Sequence, residues 1–391
     1  MRILFTFEYP FTPAFYGGGH QIARGLARAL SRRGHDVHVV VNGTDAAGAE
    51  TEDQPVSWHF TGRYDGLLGG LRIARVAVSF LDALRPDLLC CYTSEAPFVL
   101  RAARRRGIPT VLCLAAPELL PFRELRASTL RHIRYNPLTW LQSLGSVRVP
   151  RVLTISGLLT RQAVTRWRVP ADRVRTIGTG IDERYAARLA PPRPQPGPEG
   201  PRLLSFGRLM LSQKPLDAVA AALALPGAQW QEWTIVGGGP DDHVIQRRVA
   251  ELGIGDRVRF LGKRSPAEVL RLIDEHDIVL LPSRSESFFI TAYETAARGR
   301  LLITNDVAEV GSYFRDAPSV TVLADDDPRG YRQALDDVIR DFVARQSAAL
   351  SLAQRVRRDV DWDAVATRFV QAVHDLPRTA PAGAAPTPEP R

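Results

Sequence analysis

The 391-residue sequence predicts an α/β fold built as two doubly wound parallel-sheet domains. Three observations lead there. Strand-like apolar runs alternate with helix-like segments, the alternation stops at a proline-rich stretch, and it then starts again. The length also exceeds what one hydrophobic core usually organises.

The first strand run is RILFTFE, from Arg2. A helix follows over Gln21 to Arg33, with Ile22, Leu26, Ala29 and Leu30 on one face and Gly34 in a C-cap position. DVHVVVN, DLLCCY, TVLCLAA and RVLTIS supply further strands of the first domain, residues 1–188. The segment LAPPRPQPGPEGP, from Leu189, holds too many prolines for helix or sheet and reads as a semi-rigid linker over 189–200. The second domain, 201–360, repeats the alternation: RLLSFGRL, a helix Leu216 to Leu225, WTIVGGG, a helix through His243 to Leu252, VRFLG, a helix Pro266 to Glu275, then DIVLLP. A last helix over 361–376 is expected to cross back to the first domain. The low-complexity tail 377–391 is expected to be disordered.

An apolar fraction of 45% with 24% charged residues fits a globular protein. No 18-residue apolar run could span a bilayer, and the N-terminus lacks the pattern of a signal peptide, so a cytoplasmic location is expected. Cys90, Cys91 and Cys113 sit in apolar runs and read as buried small hydrophobes, with no disulfide or metal framework. Charge is unevenly spread. Residues 1–190 hold 26 arginines against 15 acidic residues, whereas residues 191–391 hold 25 basic against 27 acidic. The basic surface, with RAARRR at Arg101 to Arg106 and the series Arg123, Arg126, Arg131 and Arg134, suits an anionic small molecule or an anionic membrane surface. A small soluble partner is favoured, because that series offers no apolar insertion face. Nucleic acid is disfavoured, because the arginines are not interleaved with stacking aromatics.

Two constellations carry chemistry. In SRSESFFITAYE, Glu286 and Glu294 straddle a turn between the apolar run Asp277 to Pro282 and the helix-like TAYETAAR. In open α/β sheets that is where ligands bind. The amides of the turn favour an anion at a helix N-terminus, while the glutamates favour neutral hydroxyls. A sugar nucleotide supplies both. A capping box, Thr291-x-x-Glu294, is the competing reading of Glu294. The second constellation is FGRLMLSQK. Lysine occurs only at Lys214 and Lys263 among 51 basic residues, so its retention at Lys214 is informative. Arg208 and Lys214 together suit a diphosphate, the first as a planar fork and the second as a point charge. VGGGP alone would also suit a nicotinamide dehydrogenase, but GxGxxG with its following acidic residue is missing.

Taken together, the Glu286–Glu294 spacing, GRL with a lysine six residues after the arginine, IVGGGP, FLG and LPS resemble a family 4 retaining glycosyltransferase of GT-B fold, two Rossmann-like domains facing across a cleft. Gly17 to His20 followed by LARAL and RRGHDV, TISG near Ser156, and GTGID at Gly178 to Asp182 resemble the same family's first domain. The resemblance covers nearly all of residues 1–376. It implies a nucleotide-diphosphate sugar as co-substrate and no other cofactor or metal. Arg208 and Lys214 would neutralise the leaving diphosphate, Glu286 would sit near the donor sugar, and Glu294 would hold the ribose. Backbone amides of Phe288, Phe289 and Ile290 would meet the diphosphate. Gly237 and Gly238 of IVGGGP and Lys263 of FLGK would contact base and ribose. On the acceptor side would stand Gly17, Gly18, His20 and Glu118. The sequence departs from the family pattern at Ala115, where a His that helps hold the donor sugar is common; Glu118 or His20 is the expected substitute. It departs again at Phe289, often Gly, and at Thr179, often Asn, which implies a narrower or more apolar phosphate turn. The departure at Ala115 raises a second reading, a non-catalytic nucleotide-sugar-binding homologue acting beside an active enzyme.

Overall fold

A computed structural model describes residues 1–7, 18–43, 56–62, 69–92, 96–115, 149–165, 167–187 and 195–376. They fall into two compact units, one holding Met1–Gly180 and the chain from Trp362 onward, the other Ile181–Asp361. The division thus falls at Gly180, ahead of the proline-rich run, and the helix beginning at Trp362 belongs with the first unit.

The first unit is a seven-stranded, all-parallel sheet in the order β3-β2-β1-β4-β5-β6-β7. Its strands are β1 (Arg2–Phe7), β2 (Asp36–Val41), β3 (Val56–Phe60), β4 (Leu88–Cys91), β5 (Thr110–Leu114), β6 (Arg151–Thr154) and β7 (Val174–Thr176). The crossover helices among described residues are α1 (Gly18–Arg32), α2 (Gly69–Leu84), α3 (Ala96–Arg105) and α4 (Gly157–Thr165). Parallel strands are covered on both faces, so they read as continuous apolar runs. Leu88–Cys91 and Thr110–Leu114 are accordingly buried at every position. In α1, Ile22, Leu26, Ala29 and Leu30 are all buried, and Gly34 at φ +79° ends the helix, with His35 N–H reaching back to Leu30 O at 3.2 Å. The helix starts at Gly18 instead of Gln21, with Gly18, Gly19 and His20 in its first turn. Cys90, Cys91 and Cys113 are buried, and the sulfurs of Cys90 and Cys113 lie 3.1 Å apart.

Helix α12 (Trp362–His374) completes this unit. The Trp362 ring fills space that two glycines leave: an added Cβ would lie 2.0 Å from it at Gly25 and 2.5 Å from it at Gly180. Arg33 Nη1 bonds Asp363 O at 3.0 Å, and Arg368 Nε bonds Ile177 O at 2.6 Å.

The second unit is a six-stranded parallel sheet in the order β10-β9-β8-β11-β12-β13. Its strands are β8 (Arg202–Arg208), β9 (Glu232–Gly238), β10 (Val258–Gly262), β11 (Ile278–Leu281), β12 (Leu301–Asn305) and β13 (Val320–Leu323). The helices are α5 (Leu216–Leu223), α6 (Asp242–Glu251), α7 (Pro266–Glu275), α8 (Ile290–Ala297), α9 (Val310–Tyr313), α10 (Pro328–Arg340) and α11 (Phe342–Asp359). Trp230 and Trp233 anchor its core, their indole N–H groups satisfied by Leu223 O and Ser205 Oγ, each at 3.0 Å.

The strand order reverses between β8 and β11, which makes a topological switch point. At the amino end the two strands are pinned, since Arg202 N–H donates to Asp277 Oδ2 at 2.8 Å and Asp277 N–H to Arg202 O at 3.0 Å. Their register then runs only through Ile278–Leu203 and Val279–Leu204. On its other side β8 stays paired with β9 as far as Arg208–Gly238. Beyond Val279–Leu204 the next link between β8 and β11 is the Ser205 hydroxyl donating to Leu280 O at 2.7 Å, and the loops that follow the two strands meet past it.

Candidate active site

The loop after β8 and the loop after β11 are tied by backbone and side chain. Arg284 N–H donates to Gln213 O at 2.8 Å, Gln213 Nε2 to Ser285 O at 2.9 Å, and Arg284 Nη1 to Leu211 O at 2.8 Å. Arg284 is held in turn by an ion pair with Asp326. The lysine loop has its own supports: Lys214 N–H donates to Met210 O at 2.7 Å, and Leu211 N–H to Asp241 Oδ2 at 2.7 Å.

This cross-linking delivers Lys214 Nζ to Glu286 Oε1 as an ion pair with both side chains mostly buried, at 14% and 16% exposure. Ser283 Oγ donates to the same carboxylate oxygen at 2.9 Å. Ser283 N–H is fixed by Asn305 Oδ1 at 2.9 Å, which also accepts from Tyr331 Oη at 2.6 Å. Lys214 Nζ lies 4.2 Å from the centroid of the Phe289 ring. Burial pulls the Lys214 pKa below the ordinary lysine value, the Glu286 carboxylate opposes that fall, and the nearby Arg208 charge adds to it.

Arg208 ends β8 and is exposed; among the described residues it forms no ion pair. Phe289 is the N-cap of α8, and no side chain caps this end, so the capping box from Thr291 is corrected: Thr291 lies inside the helix. Its neighbour Thr295 donates to Thr291 O at 2.8 Å. Glu294 sits on this helix at 2% exposure. Of the three turn amides, Ile290 N–H is engaged by Phe288 O at 2.7 Å. The Phe288 ring stacks on Tyr293 at 4.5 Å.

The glycines of β9 have a structural reason of their own. Gly237 has φ +142°, and a Cβ there would lie 1.8 Å from Gly207 O, so only glycine lets β9 lie this close to β8. The Lys263 stem lies against Gly238, where an added Cβ would stand 3.1 Å from Lys263 Cε; the Lys263 side chain is exposed.

On the acceptor side, Gly18 opens α1 and is exposed. Gly17, Glu118, the series Arg123 to Arg134, residues 189–194 and the tail lie outside the described residues, as does the His20 side chain. Ala115 directly follows β5 and is half-buried. Ser283, Gln213 and Asn305 are the site residues to which sequence reasoning assigned no role. Ser283 carried a signal, since it closes LPS, but nothing in one polar residue marks it as a partner of Glu286.

Two family models match the chain in succession: Glycosyltransferase Family 4 over residues 16–185 and Glycosyl transferases group 1 over residues 200–341. Among curated relatives, a glycogen synthase of Mycobacterium tuberculosis is 26% identical, over 95% of this chain and 94% of its own length. A D-inositol 3-phosphate glycosyltransferase of Mycobacterium ulcerans is 30% identical, over 40% of this chain and 34% of its own. Among solved structures, the Anabaena protein HepE in complex with UDP aligns with a TM-score of 0.73 at 18% identity, covering 96% of this chain and 100% of that one. Sucrose-phosphate synthase from Thermosynechococcus elongatus aligns with a TM-score of 0.73 at 16% identity, covering 96% and 98%. The chain is a glycosyltransferase that belongs to family 4 and has the GT-B fold.

Proposed function

We propose that the protein moves a sugar, with retention of configuration and without a metal ion, from a nucleotide-diphosphate sugar to an acceptor hydroxyl, in bacterial natural-product or glycoconjugate biosynthesis. The observation that carries this reading is the Lys214–Glu286 pair at the switch point, beside a helix N-terminus that no side chain caps. An ammonium, the Arg208 guanidinium and helix-terminal N–H groups bring positive potential to one place, where a leaving diphosphate gains negative charge. Glu286 then faces the donor sugar, Glu294 holds the ribose, and Gly237, Gly238 and Lys263 line the base and ribose. The acceptor attacks on the face from which the diphosphate leaves, and the departing phosphate oxygen takes its proton. The protein's part is positioning and electrostatic preorganisation.

UDP-sugars are the first donors to try, because HepE was solved with UDP and with UDP-glucose. The arginine-rich first half suits a small, anionic acceptor, assigned to Gly17, Gly18, His20 and Glu118. Thermal shifts with UDP-, GDP-, ADP- and dTDP-sugars should pick out one base, and donor hydrolysis without acceptor should release free sugar slowly. EDTA should leave that release unchanged. Ala115 favours the second reading, a non-catalytic nucleotide-sugar-binding partner. Tight donor binding with no release of sugar, in any buffer, would replace the first reading by the second.

A further inference from the structure

The N-cap of α8 is held by an aromatic residue. Ser, Thr, Asp, Asn and Gly are favoured there because their side chains or backbone freedom serve the free N–H groups of the first turn. Phe289 does neither: its side chain makes no cap bond and its ring is 1% exposed. Local helix stability therefore does not account for it. The ring instead underlies the Lys214 ammonium, 4.2 Å from centroid to Nζ, well inside the reach of a cation–π contact.

We propose that Phe289 is the positioning residue for Lys214: its ring face keeps the ammonium charged and aimed, without occupying its N–H donors. The inference rests on the assignment of Lys214 to the leaving diphosphate. An ammonium has three donors and Glu286 takes one of them. A second carboxylate or carbonyl would stabilise the charge by taking another, and would compete with the phosphate for it. A π face attracts the cation through its quadrupole and leaves the remaining N–H groups directed elsewhere. This support matters because burial works against the charged form. The other charged groups facing Lys214 are Glu286, which favours the ammonium, and Arg208, which disfavours it. The Ser283 hydroxyl is spent on Glu286.

The test is the pH profile of donor hydrolysis, kcat and kcat/KM, for Phe289 variants with confirmed melting temperatures. In Phe289→Leu the alkaline limb of kcat/KM should move to lower pH, and kcat at neutral pH should fall about tenfold, as expected for losing a desolvated cation–π contact, with a smaller change in donor KM. Phe289→Tyr should recover most of the lost rate. Should the leucine variant fail to fold, a series of increasingly fluorinated phenylalanines at position 289 keeps the ring's shape while weakening its face, and the limb should step down with fluorination. An unmoved limb and unchanged kcat in the leucine variant or across the fluorinated series, with activity lost in Lys214→Ala, would overturn the role of Phe289 alone. Retained kcat in Lys214→Ala would overturn this inference and the assignment of Lys214 together.

Discussion

Lys214 Nζ and Ser283 Oγ bond one and the same oxygen of Glu286, Oε1, and so join the loop after β8 to the loop after β11. Removing the ammonium takes away both the counter-charge of Glu286 and the cation assigned to the diphosphate. Lys214→Ala is expected to lower kcat by about 10²–10³, more than it raises donor KM. Lys214→Arg should recover only part, because a planar fork is a poor substitute for a point charge in a tight, mostly buried site. Steady-state kinetics on both variants decides this, and a near-wild-type kcat in the alanine variant would withdraw the catalytic role.

Glu294 is almost fully buried on α8 and is not part of a capping box. Glu294→Gln should therefore leave helix capping unaffected while weakening nucleotide binding by about 1–3 kcal/mol, the scale of a hydrogen bond to a charged group. Titration calorimetry with the free nucleotide reads this directly. Unchanged affinity in the folded variant would remove Glu294 from the ribose.

Gly237 tests whether the glycine cluster is needed before any ligand arrives. Gly237→Ala must push β9 away from Gly207 O, at a cost of about 3 kcal/mol or more. Gly253→Ala is the control, since its φ of +68° is strained but a Cβ there meets open space. It should cost about 1–2 kcal/mol. Denaturant melts of the two variants should separate clearly; equal midpoints would show that β9 can shift without penalty.

His276 gives the second unit an acid limit. Its ring bonds Leu272 O through Nδ1 at 2.6 Å and Thr234 Oγ1 through Nε2 at 3.0 Å, and burial holds its pKa below 6.5 against the pull of Leu272 O, Glu232 and Asp277. The unfolded chain thus takes up the proton first as pH falls. The stability His276 contributes is complete above about pH 6.5 and is lost as pH drops toward the folded-state value, at about 1.4 kcal/mol per unit of depression. In His276→Gln the fall in melting temperature between pH 7.5 and 5.5 should be smaller than in the parent; an equal fall would place the acid sensitivity elsewhere.

Much of this is legible in the sequence where a strand buried on both faces reads as an apolar run, yet β12, LLITN, is buried at every position and still goes unassigned. VRFLG and the helix Pro266–Glu275 were read to the residue, and the latter carries its start in plain sight, with Ser265 and Glu268 forming a capping box ahead of an apolar periodicity. The edge strands β3, β7 and β13 go unassigned as well. VSWHF is half-buried or exposed at every position and VRT is short, so neither shows the apolar run of an inner strand. For the site, Glu286, Glu294, Arg208 and Lys214 could be singled out from residue type and spacing. The bond between Lys214 and Glu286 could not. It depends on β8 and β11 being neighbours, a matter of strand order between residues 72 apart in sequence. Nor could the inward turn of the Phe289 ring be read from a residue that looked like an apolar turn position.

The packing of Trp362 against Gly25 and Gly180 sets a timetable for synthesis. A ribosome releases the strands and helices of the first unit early, but the indole that fills the space beside Gly25 arrives only after the whole of Ile181–Asp361 has been made. Until then the nascent first unit must wait with part of its apolar interior unfilled. The later-made unit holds its own core within one continuous stretch of chain and has no such delay, which reverses the usual N-terminal-first order of completion. A chain stalled just short of Trp362 would therefore expose its first half, rather than its second, to proteases and chaperones.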